Sequence, residues 1–143
     1  MRVFFYGLFM DENLLATKGI KPSEVRLGFV DGYVLDIGER ATLLRRPDSR
    51  AYGVLMDIAA SDATKLYAED SVADYLPEPV VVELLDGTQV DATCYNLPGE
   101  KVSGTNIEYA EMLLKLATRL RFPDSYLDQI RRARTSTPTV NDE

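Results

Sequence analysis

Over most of the chain apolar and polar residues alternate with the period of about two that marks a strand, and only a few stretches carry the helical period of about 3.6. Residues 2 to 6 are rich in β-branched and aromatic side chains and stop at Gly7, which predicts a short strand feeding a tight turn. Asp11 stands where it can N-cap a short helix running to Thr17, with Gly19 closing it. From Glu24 to Ile37, Val25, Leu27 and Phe29 alternate with polar or glycine neighbours, and Gly28 and Gly32 predict a bent or bulged strand. Residues 40 to 45 predict another strand, Pro47-Asp48-Ser49 a turn, and Ala51 to Ile58 a strand carrying Tyr52, Val54, Leu55 and Ile58.

Ser61 is the expected N-cap of a two-turn helix whose Ala63, Leu66 and Tyr67 share a face. Val80 to Leu85 and Thr88 to Tyr95 flank Asp86-Gly87, the strongest hairpin signal in the chain, because glycine there supplies the positive φ of a tight turn. Ile107, Ala110, Leu113, Leu114 and Ala117 recur at helical spacing and predict the main amphipathic helix, through Leu120. Pro123 opens a last helix to about Arg134, and the polar tail from Thr135 to Glu143 reads as disordered. Many strands with few inserted helices and no βαβ alternation predict an α+β fold. Its sheet is expected to be curved, mainly antiparallel or mixed, and closed into a small β-barrel with helices packed at its ends. No linker or repeat divides the chain, so residues 1–134 are read as a single domain.

Composition narrows the chemistry. A chain of 143 residues with 45% apolar composition can cover one core, and a formal net charge of −7 repels phosphate backbones and anionic lipid. Nucleic acid and membrane surfaces are therefore not expected as partners. No apolar run approaches the roughly 20 residues of a membrane span, and no leader peptide is read at the start. One cysteine allows no intrachain disulfide, so a cytoplasmic location is expected. There is no histidine, which excludes Ser-His, Cys-His and His-metal mechanisms. No metal or organic cofactor is expected, and acid-base work falls to carboxylates, tyrosine or lysine.

The first candidate site is the turn Tyr6-Gly7-Leu8-Phe9-Met10. A glycine at a strand exit lets backbone N–H groups converge on one point, where they can hold a carboxylate or an oxyanion. Read alone, the same residues also describe an ordinary strand-to-helix turn with buried aromatics. A glutamate beside Asp70 at a helix end, Glu69, reads alone as a solvated charge. Glu39, Arg40 and Glu78 read as surface, and Cys94, alternating with Val90 and Ala92, as core.

Several short stretches, in order, resemble the gamma-glutamylcyclotransferase-like family (AIG2-like fold). Val3-Phe4-Phe5-Tyr6-Gly7-Leu8-Phe9-Met10 resembles its Tyr-Gly-(Ser/Thr)-(Asn/Leu)-Leu start, and Leu35 with Gly38 its second-strand end. Ala51-Tyr52-Gly53-Val54-Leu55-Met56 is similar to a later strand, and Leu66-Tyr67-Ala68-Glu69-Asp70 with Tyr75 to the Leu-Asp-x-x-Glu-Gly segment and its downstream tyrosine. Asp86-Gly87 with Ala92-Thr93-Cys94-Tyr95 resembles the hairpin that follows. Tyr109, Phe122-Pro123 and Tyr126 are similar to the C-terminal part of the glutathione-related branch.

The resemblance implies an enzyme that releases 5-oxoproline from a small γ-glutamyl amine or amino acid, the substrate's own amine attacking its γ-carbonyl. It makes Glu69 the general acid/base and Tyr6, Gly7, Leu8 and Phe9 the binding turn, with Tyr109 completing the pocket. It also allows a homodimer. Here Leu8 and Phe9 replace polar or small residues and Asp70 replaces a glycine. Backbone donors survive this change and side-chain donors do not, so either the preference shifts toward apolar substrates or the chain is a non-catalytic binding or interaction module.

Overall fold

A computed structural model describes residues 1–135, with side chains through Ala133; the expected tail falls, from 136 on, outside the described residues. Five strands, β1 (Arg2–Phe5), β2 (Ser23–Ile37), β3 (Ala41–Asp57), β4 (Leu76–Leu84) and β5 (Gln89–Asn96), close into a barrel in the order β1-β3-β2-β4-β5. All pairs are antiparallel except the closing one, where Val3 of β1 lies beside Thr93 of β5 in parallel. The expected curved α+β barrel is what the chain forms, with helices α1 (Glu12–Thr17), α2 (Ala60–Leu66), α3 (Ile107–Arg119) and α4 (Asp124–Thr135).

β1 and β3 are buried on both faces: Phe4 and Phe5, like Val54, Leu55 and Met56, alternate between the barrel interior and the layer packed outside it, all essentially without solvent contact. β2 meets β4 only at Gly28↔Leu84 and Phe29↔Glu83. A Cβ on Gly28 would stand 2.8 Å from the Glu83 carbonyl oxygen and 2.8 Å from Val82 Cγ1, so glycine is what lets this seam shut. Below the seam β4 has no partner on its β2 side, which makes it the edge where Pro77 and Pro79, paired on the other side with Tyr95 and Thr93 of β5, are tolerated.

Several boundaries differ from the sequence reading. Residues 41 to 57 form one long strand, and Pro47-Asp48-Ser49 is a bulge in it. Register jumps from Asp31↔Arg50 to Tyr33↔Arg45, with Asp48 at φ 68° and Gly32 opposite at φ 85°. The turn chemistry is real but is absorbed by strand pairing on both sides. α2 starts after Ala59, with no side-chain cap, and Ser61 lies inside it. Hairpin β4–β5 closes through Leu85-Asp86-Gly87, with Gly87 at φ 90° and Leu84 N–H bonded to the Thr88 carbonyl. Ile107, expected on the buried face of α3, is exposed, and Leu116 takes its place beside Ala110, Leu113 and Ala117.

α3 packs on α4 and on the turn after β1, and α4 packs on β2. Glu78, read as surface, is half-buried and accepts from Tyr33 Oη at 2.9 Å, Arg45 at 3.2 Å and Asn96 Nδ2 at 2.7 Å. Cys94 is fully buried, and that burial pushes its thiol up. Among the described residues no helix is long and apolar enough to cross a membrane.

Candidate active site

β1 ends at Phe5, and Gly7 caps a single 3-10 turn, Leu8–Met10, held by Met10 N–H on the Gly7 carbonyl and Asp11 N–H on the Leu8 carbonyl, each at 3.0 Å. Asp11 then caps α1, its carboxylate accepting from Asn13 N–H at 2.9 Å. This path lays the turn and one face of α1 along a cavity of about 340 Å³, near the small end of the range for ligand sites.

Tyr6, Gly7, Leu8, Phe9, Glu69 and Tyr109, the six residues singled out in the sequence, all line this cavity. Tyr6 contributes its ring only. Its hydroxyl donates to the Tyr95 carbonyl at 2.8 Å, and burial raises its pKa well above the ordinary phenol value. The Leu8 N–H, expected to point at a ligand, donates to Tyr109 Oη at 3.4 Å, a long bond. Tyr109 reaches the turn because Asn106 caps α3, accepting from Tyr109 N–H at 2.9 Å, and so fixes where the first turn of the helix begins. Its oxygen passes so close to Gly7 that a Cβ there would lie 2.5 Å away. Burial pushes the Tyr109 phenol up to about 12, so it keeps its proton at neutral pH.

Glu69 lies just past α2, on extended backbone that opens a second 3-10 turn, Asp70–Val72. Both its carboxylate oxygens accept from Lys18 Nζ, at 2.9 and 3.0 Å, and its side chain is 40% exposed. The segment that follows is tied to the start of β3: Tyr75 Oη donates to the Ala41 carbonyl, and Arg40 reaches the Ser71 carbonyl at 3.4 Å and Asp74 at 3.6 Å. Glu69 is thus held by Lys18 at the end of α1, and the segment that follows it by the β2–β3 turn.

Lys18, Leu14, Glu39, Arg40, Tyr67 and Val72 also line the cavity, and sequence reasoning assigned none of them to a site. One signal was available. Leu14 and Lys18, the residue that caps α1, are four apart, which puts them on one side of the helix, directly after the candidate turn. Nothing comparable marked Glu39 and Arg40, whose place in the wall comes from strand register. The other wall is aromatic. Phe9 packs edge-on against Phe5 and Tyr67, at centroid distances of 6.1 and 5.9 Å, and Tyr67 stacks on Tyr95 at 3.9 Å and tilts against Tyr75 at 6.2 Å. Among the described residues no group of three or more His, Cys, Asp or Glu side chains could hold a metal ion.

A strand exit, a tyrosine on the Leu8 amide and the Glu69 carboxylate lining one small cavity suit proton transfer on a bound small molecule. Residues 3–113 match the sequence profile of a family described as Gamma-glutamyl cyclotransferase, AIG2-like. Among solved structures, one described as a gamma-glutamyl cyclotransferase superposes with a TM-score of 0.77 at 16% identity, over 92% of this chain and 86% of its own. The human protein loc79017 gives 0.76 at 16% identity, over 99% of this chain and 91% of its own. YkqA from Bacillus subtilis gives 0.76 at 22% identity over 98% of this chain, which spans 56% of that longer protein. No curated protein matches the chain at a significant level.

Proposed function

We propose, from the premise that the chain belongs to the gamma-glutamyl cyclotransferase, AIG2-like family, that its cavity converts a γ-glutamyl amine or amino acid into 5-oxoproline and the free amine. The observation that carries this reading is that Glu69 lines the same cavity as the turn Tyr6–Phe9 and Tyr109. A purely non-catalytic module is not favoured, since it leaves unexplained why a glutamate lines the same small cavity as the turn.

In this reaction the substrate's α-nitrogen attacks its own γ-carbonyl carbon. The lactam C–N bond forms, the amide bond to the leaving amine breaks, and no water is consumed. A nucleophile built into the substrate has an effective molarity of about 10⁵ M or more, so the protein needs no serine or cysteine nucleophile. Glu69 takes one proton of the α-ammonium and returns it to the departing nitrogen, and the second proton, shed by the α-nitrogen as the lactam forms, ends on the released amine as its ammonium. Lys18 orients its carboxylate using two of about four lone-pair directions, which leaves acceptor capacity for the substrate. Backbone N–H groups of the turn stabilise the oxyanion, and the long Leu8–Tyr109 bond is easily exchanged for a substrate oxygen. Tyr109, protonated at neutral pH, donates to the substrate carboxylate. The same reading assigns the protein to the cytoplasm, supported by a sequence with one cysteine.

The test is release of 5-oxoproline from γ-glutamyl amines, γ-glutamyl amino acids and glutathione. Glu69→Gln is expected to lower kcat by about 10² to 10⁴ with the circular dichroism spectrum unchanged. A Glu69→Gln protein as fast as the parent removes Glu69 from the mechanism. No product from any substrate overturns the reading.

A further inference from the structure

The cavity has an uneven wall. Its charged and polar groups are the Gly7–Leu8 backbone, Lys18, Glu39, Arg40, Glu69, Ser71 and Tyr109, while the side chains of Phe9, Leu14 and Val72 and the rings of Tyr67 and Tyr75 make up an apolar surface. Each of these five is half-buried, so each presents apolar area inside the cavity that the protein itself leaves uncovered. The rings of Phe9, Tyr67 and Tyr75 form a continuous row. A γ-glutamyl group is two methylenes between polar ends, and it cannot cover such a surface.

The charges of the wall are already matched. Lys18 is bound to Glu69, and Arg40 is bound to Asp74 and the Ser71 carbonyl, while Glu39 adds a further negative charge. A carboxylate on the leaving amine would therefore enter a cavity whose two cations are engaged, at the cost of its own hydration. The geometry points to a γ-glutamyl amide whose leaving amine is uncharged and apolar, aromatic or branched aliphatic, seated against Phe9, Leu14, Tyr67, Val72 and Tyr75. This rests on the cyclotransferase reading for the reaction and on the wall alone for the preference.

The test uses γ-glutamyl amides of ethylamine, butylamine, isopentylamine and phenethylamine, with γ-glutamylethanolamine and γ-glutamylphenylalanine as polar and charged comparators. Turnover is read as kcat/KM, and binding by calorimetry with the matching des-amino isosteres, the N-substituted glutaramic acids, which lack the α-amine and cannot cyclise. Expected is a rise of about fourfold in kcat/KM for each methylene buried. The phenethylamide should exceed γ-glutamylphenylalanine by about tenfold or more, since the latter carries an unpaired carboxylate into the cavity. Phe9→Ser should flatten the series, and Leu14→Asn serves if that protein does not fold. A flat series, or a preference for the hydroxyl or the carboxylate, overturns the inference while turnover leaves the cyclotransferase reading standing. If nothing is turned over, that reading fails and the isosteres decide. Tighter binding of the phenethyl than the hydroxyethyl isostere supports the apolar subsite, and equal or absent binding overturns it.

Discussion

Gly7 and Tyr109 form a pair in which each explains the other. Gly7 has an ordinary negative φ, so its smallness answers to space: a Cβ would lie 2.5 Å from Tyr109 Oη. Gly7→Ala is expected to destabilise the fold by about 1–3 kcal/mol through overpacking. Tyr109→Phe in the same chain should recover much of that loss, because the oxygen that clashes is gone. A double-mutant cycle by urea denaturation checks this, and strictly additive effects would refute the pairing. The glycine was legible in the sequence as a feature of a binding turn, but its reason was not, because Tyr109 is about a hundred residues further on. The same holds for Lys18 and Arg40. Their types are common on surfaces, and only tertiary contact makes them wall residues.

At the scale of elements, α1 matters more than its length suggests. Six residues are far too few to be helical alone, so its cap and its packing hold it. Asp11→Ala removes the acceptor for Asn13 N–H and is expected to cost about 1 kcal/mol. The accompanying pair with Arg119, 3.7 Å and largely exposed, adds little. Hydrogen exchange should show faster exchange in α1 than in α3, and unchanged protection of α1 would mean the cap is not what holds it. Because Lys18 closes this helix, the change should also loosen the hold on Glu69. The sequence identified α1 and its cap correctly, since capping is a local matter. It split β3 at Pro47-Asp48-Ser49, since turn residues look the same in a bulge as in a turn, and only the partner strand distinguishes them.

For the whole molecule, several tyrosines titrate together. Burial raises the pKa of Tyr6, Tyr67, Tyr75, Tyr109 and Tyr126, with Tyr109 at about 12 against an ordinary value of 10.0. Below pH 10 folded and unfolded chains hold the same phenol protons, so these groups leave stability unchanged. Above it the unfolded chain loses protons that the folded one keeps, and stability falls as pH rises through the folded values. Chemical denaturation at stepped pH should show a decline starting near pH 10, with the phenolate absorbance of these five tyrosines appearing only with unfolding. Absorbance of all eight phenolates before unfolding would count against buried phenols. The α+β barrel itself was legible because alternation, glycine placement and short helices all pointed the same way. Which strands would meet at the seam was not, since Gly28 and Leu84 are paired by closure and by no local pattern.

The parallel contact between β1 and β5 sets an order on self-assembly. β1 precedes all its partners in the chain, yet its neighbours come from the middle, β3, and from the last strand, β5. Loops of this size close slowly, and the strand exit that shapes the pocket is secured only when they have closed. Competence to bind is therefore expected to arrive with the completed ring, since Tyr6 at the pocket is tied to the Tyr95 carbonyl of β5.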